Sequence, residues 1–202
     1  MSESDSNETQ VTQDPRVARS VARLLDAATE LLIEGGARAV TVDAIAERSG
    51  VAKSTMYRHF PSRTALIVAV LRHNMPEVDF EMSQGSFEES LRALVGGVAK
   101  SMSDPHWARI LPALMSLKQT ISDVDELTEE DRSERRARLQ EVLDQGVAEG
   151  LIDPGTDCDT TLHLLVGPLF IATVNQDLAR LPALAEEIVD RYLASCRAHA
   201  RI

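Results

Sequence analysis

An all-α fold of about nine helices is what this sequence predicts, and three observations predict it. Apolar residues recur every three or four positions, and no segment of strand length alternates. Aromatic residues make up only 3% of the 202, against 44% hydrophobic residues, which favours helix over sheet. Glycines, prolines and capping residues punctuate the chain at helix-length intervals.

Residues 1–14 carry Glu3, Asp5, Glu8 and Asp14 and no base, and read as a disordered tail. A first helix over 16–34 follows from the spacing of Val17, Val21, Leu24, Leu25, Ala28, Leu31 and Leu32, with Gly35 and Gly36 as a left-handed stop. Thr41 caps a second helix, which turns Val42, Ile45 and Ala46 inward and ends at Gly50. A third helix covers 52–59. Pro61 and Ser62 lead into a fourth, with Leu66, Ala69 and Val70 on one side and Pro76 as its end.

Ser86 and Glu89 stand at capping-box spacing and open a helix over 87–102. Asp104 followed by Pro105 opens the next, running to about 120 and kinked at Pro112. An acidic connection over 122–128 leads to a long charged helix ending near Gly150. Asp153-Pro154-Gly155 forms a turn. Helices over 157–177 and 182–199 complete the chain, the last begun by Pro182.

Charge divides unevenly. The chain carries −11 overall, but residues 15–75 hold nine Lys or Arg against five Asp or Glu. An acidic whole opposes sequence-blind binding to nucleic acid, whereas a basic segment permits one oriented face to meet it. Two cysteines are too few for a disulfide framework, the first residues form no signal peptide, and no apolar run spans a bilayer. A cytoplasmic protein without membrane association is expected.

The basic face centres on "SGVAKSTMYRHF", Ser49 to Phe60. Two short helices joined at a glycine have helix-turn-helix geometry, here about 41–60. Val51, Met56 and Phe60 hold the pair together. Lys53, Ser54 and Thr55 point outward at the start of the second helix, where base edges of double-stranded DNA would lie. Tyr57 and His59 offer donors for phosphate oxygens, Arg58 and Arg63 offer charge, and Thr41 offers a hydroxyl at a helix start.

The text "LLDAATELLIEGGARAVTVDAIAERSGVAKSTMYRHFPSRTALIVAVL" resembles the N-terminal domain of the TetR family of bacterial transcriptional regulators. The likeness spans about a quarter of the chain, with Gly50-Val51 at the turn and Tyr57-Arg58-His59-Phe60 closing the recognition helix. It implies a three-helix DNA-binding domain over 15–75, a helical effector-binding and dimerisation domain over 76–202, and a homodimer on an inverted-repeat operator. By the same resemblance Thr41, Tyr57, His59 and Arg63 meet phosphates, while Lys53, Ser54, Thr55 and Arg58 lie nearest the bases. Ala52 stands where a capping serine is frequent, which forgoes about 1 kcal/mol of local helix stability.

The helix over 157–177 is apolar on all sides, through Leu162, Leu164, Leu165, Val166, Leu169, Phe170, Ile171 and Val174. A helix of that kind must be buried on all sides. Leu162, Leu165, Val166, Gly167 and Leu169, with Leu184, Ile188, Val189, Tyr192 and Leu193 of the last helix, therefore predict a four-helix interface between two copies. Phe87, Met102, Trp107, Leu111, Leu114, Met115, His163 and Phe170 are candidates to line a cavity for an apolar or flat small-molecule effector; the same residues also suit plain core. His106 or Lys118 offers a partner to an acidic group.

No nucleophile elbow, phosphate loop or paired metal ligand marks an enzyme, and no cofactor or metal is implied. Cys196 with His199, or Cys158 with His163, would hold zinc only with further ligands. A helical ligand- or partner-binding protein with a silent DNA domain is the competing class. Repression relieved by the effector is the usual outcome in the family resembled.

Overall fold

A computed structural model describes residues 15–76, 78 and 85–199, with side chains as far as Cys196. The tail over 1–14 and the side chain of His199 lie outside them. Two compact units part after Val70. Among the described residues there are nine α-helices and one 3-10 turn, and no helix is long and apolar enough to cross a membrane.

In the first unit, α1 (Pro15–Ala39) buries Leu24, Ala27, Ala28, Leu31 and Leu32, the stripe its 3.6-residue period demands. The expected stop falls at Gly36 alone, whose φ of 64° and ψ of −165° only glycine enters freely. The chain then makes one further turn to Ala39, so the helix outruns the expected end. Thr41 caps α2 (Val42–Ser49) by accepting from Ala44 N at 3.2 Å. Gly50, at φ 64° and ψ 19°, ends it in the left-handed conformation. A Cβ there would lie 2.8 Å from Arg23 Nη2.

The third helix, α3 (Lys53–His59), starts at Ala52 with no side-chain cap. Val51, Ile45 and Met56 are buried between α1, α2 and α3. Ser62 Oγ accepts from Ala65 N at 3.0 Å and starts α4 (Arg63–Asn74). The buried set of α4 is Leu66, Ile67, Val70 and Leu71, whereas the expected Ala69 is only half-buried.

The second unit is built around α5 (Phe87–Met102), opened by the complete Ser86–Glu89 capping box. Its buried stripe runs Phe87, Leu91, Leu94, Val95, Val98 and Met102, and it packs against α7 (Ser122–Ala148), α8 (Cys158–Val174) and α9 (Leu181–His199). Arg92 ties α5 to α9 through Glu186 at 2.6 Å and Asp190 at 2.5 Å, and reaches Glu88 at 2.9 Å on its own helix. These carboxylates hold the guanidinium above its ordinary pKa.

One expectation fails here. The acidic connection over 122–128 is the opening of α7, because Val124 and Leu127 are buried and Asp123 and Asp125 suit the positive end of the helix. At Pro112, where a kink is expected, α6 (Pro105–Lys118) continues as helix to Lys118. Proline leaves the Ala108 carbonyl without its helical donor, and Gln176 Nε2 supplies one at 3.0 Å. Gln176, just past the end of α8, holds a positive φ of 62°.

Candidate functional site

The outer face of α2 and α3 presents the residues expected to meet DNA. Lys53, Ser54, Tyr57 and Arg58 are exposed, and Thr55 is half-buried. The cap leaves the Thr41 hydroxyl hydrogen free to donate outward. Lys53 pairs with Asp43, whose hydrogen bond holds the ammonium above its usual pKa. Arg48 is pinned between Glu34 at 2.8 Å and Glu30 at 3.6 Å.

Two expected phosphate ligands stand differently. Arg63 donates from Nε to Val40 O at 2.7 Å and from Nη2 to Ala37 O, so its fork braces the carbonyls just past the Gly36 break. His59 is half-buried, and its Nε2 is enclosed with no hydrogen-bond partner among the described residues. Neither side chain presents its full polar edge to solvent. Donor chemistry pointed to His59, charge to Arg63 and the family resemblance to both; only the packing reveals what they face.

In the second unit a cavity of about 520 Å³ opens among α5, α6, α7 and α8. Val98, Ser101 and Met102 line it from α5; Trp107, Leu111, Leu114, Met115 and Lys118 line it from α6. The α8 wall is Leu162, His163, Val166, Gly167, Phe170 and Ile171, and Met75, Pro76 and Val78 complete it. Seven of the nine expected lining residues are therefore present. Phe87 is not: it is fully buried in the core, its ring against the backbone of Gly146. His106 is not either, since it meets Asn74 Oδ1 at 3.1 Å away from the lining.

Sequence reasoning missed the α7 wall, which is Thr128, Asp131, Arg132 and Arg135. The signal was their spacing of three, one and three, which places all four on one helical face. Arg135 Nη2 pairs with Asp131 Oδ2 at 2.7 Å, but Arg135 Nε is buried with no partner among the described residues. Burial pushes the Asp131 carboxyl above its ordinary pKa, and Arg135 offsets only part of that rise. Lys118 Nζ reaches Glu129 at 2.9 Å and Asp125 at 3.4 Å. Among the described residues no group of three His, Cys, Asp or Glu is placed to hold a metal, and burial pushes both Cys158 and Cys196 thiols up.

The residues expected to pair two copies divide among three environments. Leu165, Leu169, Val189 and Leu193 lie in the subunit's own core, because α8 packs directly on α9 and α5. Leu162, Val166 and Gly167 line the cavity. Leu184, Ile188 and Tyr192, at intervals of four on α9, stay half-buried. The outward apolar residues of α8 are Leu164 and Ile171, 60% and 59% exposed, with Val174 one turn beyond. So α8 is apolar all round because core, cavity and an uncovered stripe each take one side.

Known proteins share this fold. The family model for bacterial regulatory proteins of the tetR family matches residues 24–70, and that for a tetracyclin repressor-like C-terminal domain matches 82–192. The HTH-type transcriptional regulator YdeS of Bacillus subtilis is 28% identical over 188 residues, covering 89% of this chain and 86% of its own. The HTH-type transcriptional repressor KstR of Mycolicibacterium smegmatis is 34% identical over 85 residues, 40% of this chain and 42% of that protein. In fold, the transcriptional regulator FadR of Bacillus subtilis, solved in complex with stearoyl-CoA, superposes with a TM-score of 0.66 at 20% identity, covering 84% of this chain and 95% of its own.

Proposed function

This chain belongs to the TetR family of helix-turn-helix DNA-binding transcriptional regulators, and from that premise we propose that it acts as a homodimeric repressor released by an apolar small-molecule effector. The cavity carries the reading. About 520 Å³ lined by Trp107, Leu111, Leu114, Val166 and Phe170 falls in the range of small-molecule sites. A closed core would leave no such volume, since interiors pack to crystal density. A fold neighbour solved with an acyl-CoA supports an effector site in proteins of this architecture.

The DNA-reading residues are Thr41, Lys53, Ser54, Thr55, Tyr57 and Arg58. Two copies hold their recognition helices about 34–36 Å apart, to match half-sites one helical turn apart in an inverted repeat. The uncovered stripe of Leu164, Ile171 and Val174 with Ile188 and Tyr192 supplies the pairing surface. Met75 and Pro76, which directly follow α4, form part of the cavity wall. An effector that favours one placement of that wall shifts the dimer toward a spacing the operator does not fit, by as much as its affinities for the two forms differ.

Gel shift with DNA from beside the protein's own gene, together with sedimentation of the purified chain, tests this. A shift that needs an inverted repeat, carried by a dimer, is expected. Lys53→Ala is expected to change sequence preference, while Tyr57→Ala weakens binding to every sequence. A monomer that shifts no DNA would leave a helical binding protein with a silent head. An unchanged preference in Lys53→Ala would remove that residue from the base-reading set.

A further inference from the structure

The charged residues of the cavity lie along one side. Asp131, Arg132 and Arg135 face it from α7, and Lys118 joins them from the last turn of α6. Three cations stand there against a single carboxylate, in a chain whose net charge is −11. The sign of the lining is thus opposite to that of the protein. The facing walls from α5 and α8 are mainly apolar.

Lys118 is held by Glu129 and Asp125, but the two arginines are incompletely matched by the protein. Arg132 comes no nearer than 4.0 Å to Glu129, and that carboxylate is already held by Lys118. Arg135 has one carboxylate on Nη2, while its Nε is enclosed and lacks an acceptor among the described residues. Buried donors are nearly always paired, so an incompletely matched guanidinium among the lining residues has capacity for a further acceptor. Asp131 takes only Nη2 of the Arg135 guanidinium, and burial already disfavours its charged form. An incoming anion would be the stronger partner for Arg135.

Resting on the reading of this cavity as the effector site, we infer that its ligand is an amphipathic anion. Its apolar body lies among Trp107, Leu111, Leu114, Val166 and Phe170, and its acidic head faces Arg132, Arg135 and Lys118. A neutral apolar molecule would fill the volume yet leave the α7 wall unmatched. A cationic amphiphile would meet three like charges.

Trp107 is the chain's single tryptophan and lines the cavity, so its fluorescence reports occupancy directly. Decanoate, decanol and decyltrimethylammonium, titrated into the full chain, share one apolar body and differ in the head. Decanoate is expected to bind at least about tenfold more tightly than decanol, the margin of one charge-assisted hydrogen bond, with the ammonium weakest. Arg135→Gln is expected to erase the preference for decanoate while decanol still binds. Lys118→Met, at the cavity rim, reads the same preference if Arg135→Gln fails to fold, and is expected to narrow it. Equal binding of decanoate and decanol would overturn the acidic head and leave an apolar effector cavity standing. Failure of every decyl probe to change the fluorescence or to release DNA would overturn both readings.

Discussion

Two ion pairs of this molecule have the same chemistry and opposite settings. Lys53 and Asp43, on the face proposed to read DNA, are 56% and 81% exposed; Arg135 and Asp131, in the cavity wall, are 22% and 29% exposed. The outer pair is bathed in water and worth little, so Lys53 can leave Asp43 for a base edge at almost no cost. The inner pair is sheltered. There desolvation works against Asp131, and Arg135 Nε is left without a partner among the described residues. An exposed pair keeps a cation soluble until DNA arrives, whereas a sheltered, incomplete pair marks a place for a ligand.

The largest expected effect separates the cavity wall from the core behind it. Phe87→Ala is expected to destabilise the second unit by about 3–5 kcal/mol, because Phe87 is fully enclosed against Gly146. Decanoate selectivity, measured where the variant is folded, is expected to be unchanged; a lost selectivity would put Phe87 back in the wall.

Arg63→Ala comes next, and tests a cation that belongs to neither pair. Loss of its bonds to the Val40 and Ala37 carbonyls is expected to cost about 1–3 kcal/mol by denaturant titration of the first unit. The salt dependence of DNA binding should keep its slope. A slope reduced by about one per copy would restore Arg63 as a phosphate ligand.

Asp131→Asn addresses the inner pair itself. Its folded-state pKa is raised, so the folded protein disfavours the carboxylate; that penalty is absent in acid and grows as pH rises through the raised value. The asparagine variant is therefore expected to melt higher than wild type at neutral pH, with the gain vanishing below about pH 3. A lower Tm at neutral pH would mean that pairing with Arg135 outweighs burial. The smallest effect belongs to the outer pair. Asp43→Asn should move stability by no more than about 0.5 kcal/mol, while raising affinity for non-operator DNA a few-fold at low salt. A loss of DNA affinity would instead make Asp43 the residue that orients Lys53.

The same contrast separates what was legible from what was not. Thr41, Gly50, Ser86 with Glu89, and Asp104 with Pro105 each set a helix end through bonds reaching at most four residues, so the order and type of the helices could be read along the chain. The head is legible for a similar reason: Ile45, Val51 and Met56 stand within a dozen residues of one another, and α1 closes their core from farther along the chain. The acidic stretch over 122–128 was misread because its polar residues outnumber Val124 and Leu127, the two that packing captures.

The sequence by itself determined an all-helical chain with a basic, helix-turn-helix head on an acidic body, since periodicity, caps and charge are properties of near neighbours. Tertiary structure alone decided that Arg63 braces two carbonyls, that Phe87 and Leu165 belong to the core, and that Arg132 and Arg135 line a cavity. Those roles depend on what lies across the gap between helices far apart in sequence, and no local spacing encodes which face of a charged helix a distant helix will cover.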